Sequence, residues 1–236
     1  TMSRIICIIG NKGGTGKTTL SHMLCQGLGL LGQRSACVLT DTSREPLSPD
    51  GRRYITADAR TPAALQKVVG KLRTMEGWIG VIDGGGNRAD VDRSLNELAD
   101  IVLLPFRDSH EDLRTVLRDL ETFPHAYALP SQWPTNAWQR DAADRNVAQI
   151  LGAHKHRILH PVPSLSASKL LLQKTAPDGL PSNLGNACRS FARQVMDVLE
   201  IGAAYPTQPP ERSDEHAEAA VPPTVLPEGY ASTARH

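Results

Sequence analysis

Short apolar runs alternate along the chain with longer amphipathic stretches. Residues 5–9, 36–39, 78–82 and 101–104 are dominated by apolar side chains, the pattern of strands covered on both faces of a parallel sheet. Between and after them, 18–31, 62–75, 91–99 and 111–122 carry apolar residues at helical spacing. Gly32 and Gly77 stand just past the first two, and Pro124 just past the last. Strand alternating with helix predicts an α/β domain: a doubly wound, mostly parallel sheet flanked by helices. Weaker signals place further strands at 125–129 and 157–159, and helices at 137–151 and 184–199. From Gly202 the periodicity fades, and six prolines (206, 209, 210, 222, 223, 227) mix with scattered acids. A single domain over 1–201 is therefore expected, followed by a disordered Pro-rich tail over 202–236.

Composition narrows the class. Of 236 residues, 40% are hydrophobic but only 4% aromatic, so the core must be built from Ile, Leu, Val and Ala. The 26 Lys+Arg nearly balance 25 Asp+Glu. Five of those acids lie in the tail against Arg212 and Arg235, which leaves the body modestly basic. The four cysteines (Cys7, Cys25, Cys37, Cys188) show no C-x-x-C spacing, which argues against a disulfide scaffold or zinc ribbon and for a reducing compartment. No apolar run approaches the roughly 20 residues of a membrane span, and no signal-peptide pattern opens the chain. A cytoplasmic protein without a membrane partner is expected.

The chemistry concentrates at Gly10-Asn11-Lys12-Gly13-Gly14-Thr15-Gly16-Lys17-Thr18-Thr19, between a predicted strand and a predicted helix. That is the context a phosphate-binding loop requires. Glycines at 13, 14 and 16 let backbone N–H groups and the helix N-terminus close around phosphate oxygens. Lys17 is expected to reach the β- and γ-phosphates of ATP or ADP, Thr18 to bind Mg²⁺, and Thr19 to reach the α-phosphate. Asn11 and Thr15 complete the nucleotide-binding loop. Asn11 stands where the standard pattern has its first glycine, and a second lysine appears at Lys12.

This K-G-G-x-G-K-T-T arrangement resembles the deviant Walker A motif of the ParA/MinD family of P-loop ATPases. The resemblance implies that Lys12 reaches phosphates held by the other subunit of an ATP-bound homodimer. Where the family carries D-x-D-P-Q, this chain reads Leu39-Thr40-Asp41-Thr42-Ser43. Only the second Asp is retained, so Asp41 takes the water-orienting role by resemblance; an Asp that merely caps the loop is the other reading. Val81-Ile82-Asp83 ends as a Walker B strand, with Asp83 expected to hold Mg²⁺ through water. The glycines that follow, Gly84 to Gly86, resemble the short plasmid-partition ATPases such as ParF, and would let a switch loop rearrange. Pro161 and Val162 fall where relatives touch adenine with backbone groups.

The resemblance implies a slow, partner-stimulated ATPase that partitions plasmid or chromosomal DNA, or positions another large cargo. A small centromere-binding, ParB-like protein is the implied partner, and nucleoid association the implied ATP-state location. Arg189 and Arg193, four apart on one helical face, with Lys169 and Lys174 before them, form a candidate patch for non-specific duplex DNA. Such pairs are also ordinary solvated surface. Competing readings are an accessory ATPase of conjugation, secretion or cellulose synthesis, a nucleotide-binding adaptor with little hydrolysis, and a dethiobiotin-synthetase-like ligase. The absence of mid-chain cysteines argues against an iron–sulfur relative. With the loop ten residues from the first position, an N-terminal helix-turn-helix is not expected.

Overall fold

The structure, a computed structural model, describes residues 2–10, 16–41, 45, 47–84, 89–175 and 179–200. Six strands are wholly parallel: β1 (Arg4–Ile8), β2 (Ser35–Leu39), β3 (Ile55–Asp58), β4 (Ile79–Asp83), β5 (Ile101–Phe106) and β6 (Ala126–Pro130). Their spatial order is β3-β2-β4-β1-β5-β6. Helices α1 (Lys17–Leu30), α2 (Pro62–Thr74), α3 (Ala89–Leu98), α4 (His110–Thr122), α5 (Ala137–Leu151) and α6 (Ser182–Val198) cover the two faces.

The alternation along β1 shows how the sheet is covered. Ile5 and Cys7 face one core with Leu72 of α2, Leu95 of α3, Leu113 of α4 and Ala143 of α5. Ile6 and Ile8 face the other, with Leu24 of α1 and Leu184 and Phe191 of α6. Strands apolar on both faces thus bury both, as the continuous runs imply.

Three elements depart from the expectation. The edge strand β3 reads Ile55-Thr56-Ala57-Asp58, half-buried with alternate residues turned outward, and at four residues it is too short to stand out. β5 continues through Pro105 to Phe106. Leu103 accepts a hydrogen bond from Ile9 of the β1 side and Phe106 accepts one from Ser131 of the β6 side. The side of Pro105 that lacks an N–H therefore turns toward β1, whose pairing with β5 ends at Leu103, and no ladder bond is lost. The strand expected at 157–159 survives only as an isolated parallel bridge, Ile158 to Ala128. The tail expectation for 202–236 lies outside the described residues.

Helix starts follow local chemistry. Thr61 caps α2 ahead of Pro62, its hydroxyl accepting from Ala64 N at 3.1 Å. Ser109 does the same for α4 through Asp112 N at 3.1 Å. Further along α4, Asp119 is only 7% exposed, and burial pushes its carboxyl up to about 6 while Arg118 pulls it down. A carboxyl raised above its unfolded value favours folding below about pH 4, and that contribution is lost as pH climbs to about 6. Asp119→Asn is therefore expected to raise stability at pH 7.5 by up to about 2 kcal/mol and to change little at pH 4. Urea denaturation at the two pH values measures this; an equal effect at both would exclude carboxylate burial as the cause.

Candidate functional site

The carboxyl ends of β1, β2 and β4 lie side by side, because Ile8 and Leu39 both pair with Asp83. In an open parallel sheet the crevice outside these ends is where ligands bind. Helix α1 starts there. Its N-cap, Gly16, has φ 79°, a left-handed conformation that suits glycine. No acidic residue occupies the first turn, and the positive end of the helix faces the crevice.

Three predicted residues converge at this point. Thr18 Oγ1 donates to Asp83 Oδ2 at 2.6 Å. Asp83 is 1% exposed at the end of β4, and its carbonyl accepts from Thr40 Oγ1 at 2.5 Å. Lys17, itself buried, donates from Nζ to the Gly10 carbonyl at 3.2 Å. Asp41 stands half-buried two residues past Leu39, on the same edge. Thr19 follows in the first turn of α1, half-buried. Asn11, Lys12, Gly13, Gly14 and Thr15 lie outside the described residues.

The remaining expected residues lie on other elements. Val162 is buried, and its N–H donates to Pro130 O at 2.8 Å while its carbonyl accepts from Trp133 N at 3.1 Å. Its backbone is engaged in extending the sheet beside β6, which leaves exposed Pro161 as the accessible member of that pair. Lys169, Lys174 and Arg193 are exposed, and half-buried Arg189 donates to Asn186 Oδ1 at 3.2 Å. They occupy α6 and the 3-10 turn Ser166–Leu172 with the residues just after it; both elements pack on α1.

Two features escaped the sequence. Gln132, after β6, adopts φ 52°, and its amide nitrogen lies 3.1 Å from where a Cβ on Gly16 would stand. A non-glycine residue in this conformation gives no sequence signal. The second is a buried cluster behind the site, where His22 Nδ1 meets Tyr54 Oη at 2.6 Å and Arg52 Nη1 donates to the same oxygen at 3.1 Å. Cys37 Sγ is 3.9 Å from His22 Nε2. Hydrogen bonding with Cys25, then burial, raises the Cys37 thiol, and burial raises the Tyr54 phenol, so both stay protonated at neutral pH. Cys188 is likewise pushed up to about 12 by burial. All four cysteines are buried thiols, and none is in a disulfide. Helical spacing would have paired Thr18 with His22, but only the fold brings in Tyr54 and Arg52.

No family model and no curated protein matches the chain. Solved structures do. MinD cell division protein from Aquifex aeolicus superposes with a TM-score of 0.65 at 17% identity, over 82% of this chain and 97% of that one. An ATP complex of McdA from Cyanothece gives 0.60 at 17% identity, over 85% and 98%. The chain has the MinD/ParA fold. A putative plasmid partition protein from Borrelia burgdorferi, bound to AMPPNP, agrees at 0.56 and 14% identity, over 86% and 99%. In this fold the start of α1 and the carboxyl ends of β2 and β4 meet because β2, β4 and β1 are adjacent strands of one sheet. No helix among the described residues is long and apolar enough to cross a membrane.

Proposed function

We propose that this chain is a Mg·ATP-dependent ATPase that dimerises in its ATP state and partitions DNA or positions another large cargo. The observation that carries the reading is the 2.6 Å contact of Thr18 with Asp83 at the mouth of the crevice. Among the described residues no group of three His, Cys, Asp or Glu could hold a metal. A hydroxyl and a carboxylate converging from a phosphate loop and a Walker B strand suit Mg²⁺ instead, which takes much of its shell from phosphates and water. Thr18 and Asp83 would hold the ion, which when bound would offset charge on the phosphates. Lys17 would supply the main protein counter-charge to the β,γ-phosphates, moving its ammonium from the Gly10 carbonyl. Asp41, on the neighbouring strand end, would accept a hydrogen bond from the attacking water and orient it. Lys12 would reach the nucleotide of the second subunit. Pro161 and the segment around it would bound the adenine.

The cargo part of the reading rests on the resemblance and on the basic positions of α6 and the preceding turn. Bringing two copies together doubles the phosphate contacts available from Lys169, Lys174, Arg189 and Arg193, which would make duplex affinity depend on ATP. With six or more such contacts, affinity is expected to fall about a thousandfold between about 50 and 200 mM salt. Light scattering should show a dimer with ATP and a monomer with ADP, and Lys12→Ala should remove the dimer. Gel shifts on random-sequence duplex should appear with ATP alone and vanish when Arg189 and Arg193 are changed to Glu. Equal shifts in both nucleotides, or none at low salt, would favour an accessory ATPase of conjugation, secretion or cellulose synthesis. A normal ATP dimer in Lys12→Ala would exclude the shared-lysine arrangement.

A further inference from the structure

The 3-10 turn Ser166–Leu172 carries exposed Lys169, and exposed Lys174 lies just beyond it. By itself such a turn is poorly held. Its 3-10 hydrogen bonds have weaker geometry than α-helical ones, no side chain caps its start, and Leu171 is its one buried residue. The last carbonyls of a helical turn also lack partners within it, so donors must come from elsewhere.

Arg52, in the connection between β2 and β3, supplies them. Its Nη1 donates to Leu171 O at 2.6 Å and its Nη2 donates to Gln173 O. Its Nε donates to Ser48 O at 2.7 Å, which folds the connection back on itself, and Ser48 N donates to Lys174 O at 3.1 Å. The carbonyls of Leu171, Gln173 and Lys174 are thus taken up by one short stretch of chain. Nη1 donates as well to Tyr54 Oη at 3.1 Å, and that oxygen meets His22 Nδ1 at 2.6 Å. His22 lies one turn after Thr18 on α1, so the basic turn is tied to the helix that opens the nucleotide site. The four oxygens that Arg52 bonds are all neutral, so shape rather than ion pairing selects the residue. A planar guanidinium can reach four oxygens lying in different directions; an ammonium at the end of a lysine cannot.

We propose that Arg52 is the positioning residue of the basic turn: its guanidinium holds the backbone that carries Lys169 and Lys174 against the flank of α1. Lysines on a fixed backbone meet duplex phosphates without first being ordered, and avoiding that cost raises affinity. The consequence for DNA rests on the function proposed above, whereas the fixing of the turn does not.

Arg52→Lys, made in the full chain, tests this, because it keeps the charge and the trypsin site but loses the fork. Timed trypsin digestion read by mass spectrometry follows the cuts after Lys169 and Lys174. Relative to cuts after other exposed basic residues, these are expected to be about tenfold faster in Arg52→Lys, with ATP affinity unchanged. A general loss of stability would speed all the cuts together. Gel shifts on random-sequence duplex with ATP then measure the consequence. Changing Lys169 and Lys174 together to Ala should weaken binding about tenfold in the wild type but less than about threefold in the Arg52→Lys background. Selective cutting that stays at the wild-type rate would overturn the proposal, as would equal losses from the two lysines in both backgrounds. If the wild type shifts no DNA in either nucleotide, the DNA reading falls and the digestion alone decides on Arg52. Should Arg52→Lys fail to fold, Arg52→Gln, with two N–H groups for four oxygens, takes its place in the digestion.

Discussion

Lys17→Ala is expected to weaken ATP binding by a hundredfold or more, about 3 kcal/mol. The size follows from what the side chain offers. It is a buried cation beside the positive end of α1, bonded to the Gly10 carbonyl just past β1. Charge-assisted bonds to phosphate oxygens in a partly dehydrated crevice are among the stronger polar contacts a protein makes. Alanine removes the charge, while the backbone N–H groups of the helix start remain, so residual binding in the millimolar range is the expected floor. Calorimetric titration with ATP and with ADP measures both. The loss should be greater for ATP, because the ammonium is expected to contact the γ-phosphate. Undiminished affinity in a folded Lys17→Ala would remove the phosphate-loop reading, and with it the ATPase.

Gly27→Leu should cost more than about 4 kcal/mol of folding stability, an unusually large effect for a single helix position. At residue 27 the backbone of α6 comes directly against α1. A Cβ placed there would stand 2.0 Å from the Cys188 carbonyl oxygen and 2.9 Å from Ala192 Cβ. Backbone cannot yield as a flexible side chain can, so the helices must part. Parting them opens voids around Leu24, Leu28 and Phe191, which pack in the same core. Gly70 on α2 is the control, because a Cβ there meets nothing within 4 Å. Gly70→Ala should stabilise by about 0.5–1 kcal/mol through helix propensity alone. Chemical denaturation of the two variants separates crossing geometry from propensity. Similar small changes in both would show that α1 and α6 do not pack this tightly. Because α1 also carries Thr18 and His22, the same substitution should loosen the nucleotide site.

How much was legible differs between elements for physical reasons. The strands that became β1, β2, β4 and most of β5 were visible because both faces are buried, so nearly every position must be apolar. Helices α2 and α4 announced themselves through apolar spacing and through Gly77 and Pro124 just past their ends. The glycine-rich segment before α1 stood out because a backbone that closes around an anion demands glycines at fixed places, whatever the rest of the fold does. Local demands of this kind leave local marks, and from them the sequence determined an α/β sheet with Lys17 and Thr18 opening its first helix.

What only the tertiary structure decided were the meetings between distant segments. Asp83 was assigned from its own strand, but its contact with Thr18 across 65 positions depends on β4 lying next to β1. The strand order β3-β2-β4-β1-β5-β6 is a choice among packings that the same apolar runs allow. Residues 55–58 became an edge strand because β2 offered a free side, not because four alternating residues insist on it. Val162 was assigned from its position in the chain, and only the fold shows that its backbone bonds to Pro130 and Trp133. The His22–Tyr54–Arg52 chain joins α1, the approach to β3 and the turn near Leu171 through single contacts, each too ordinary to mark its residue. Periodicity records which face of an element is covered; it carries no information on which other element covers it, and that is where the Thr18–Asp83 contact and the His22–Tyr54–Arg52 cluster arose.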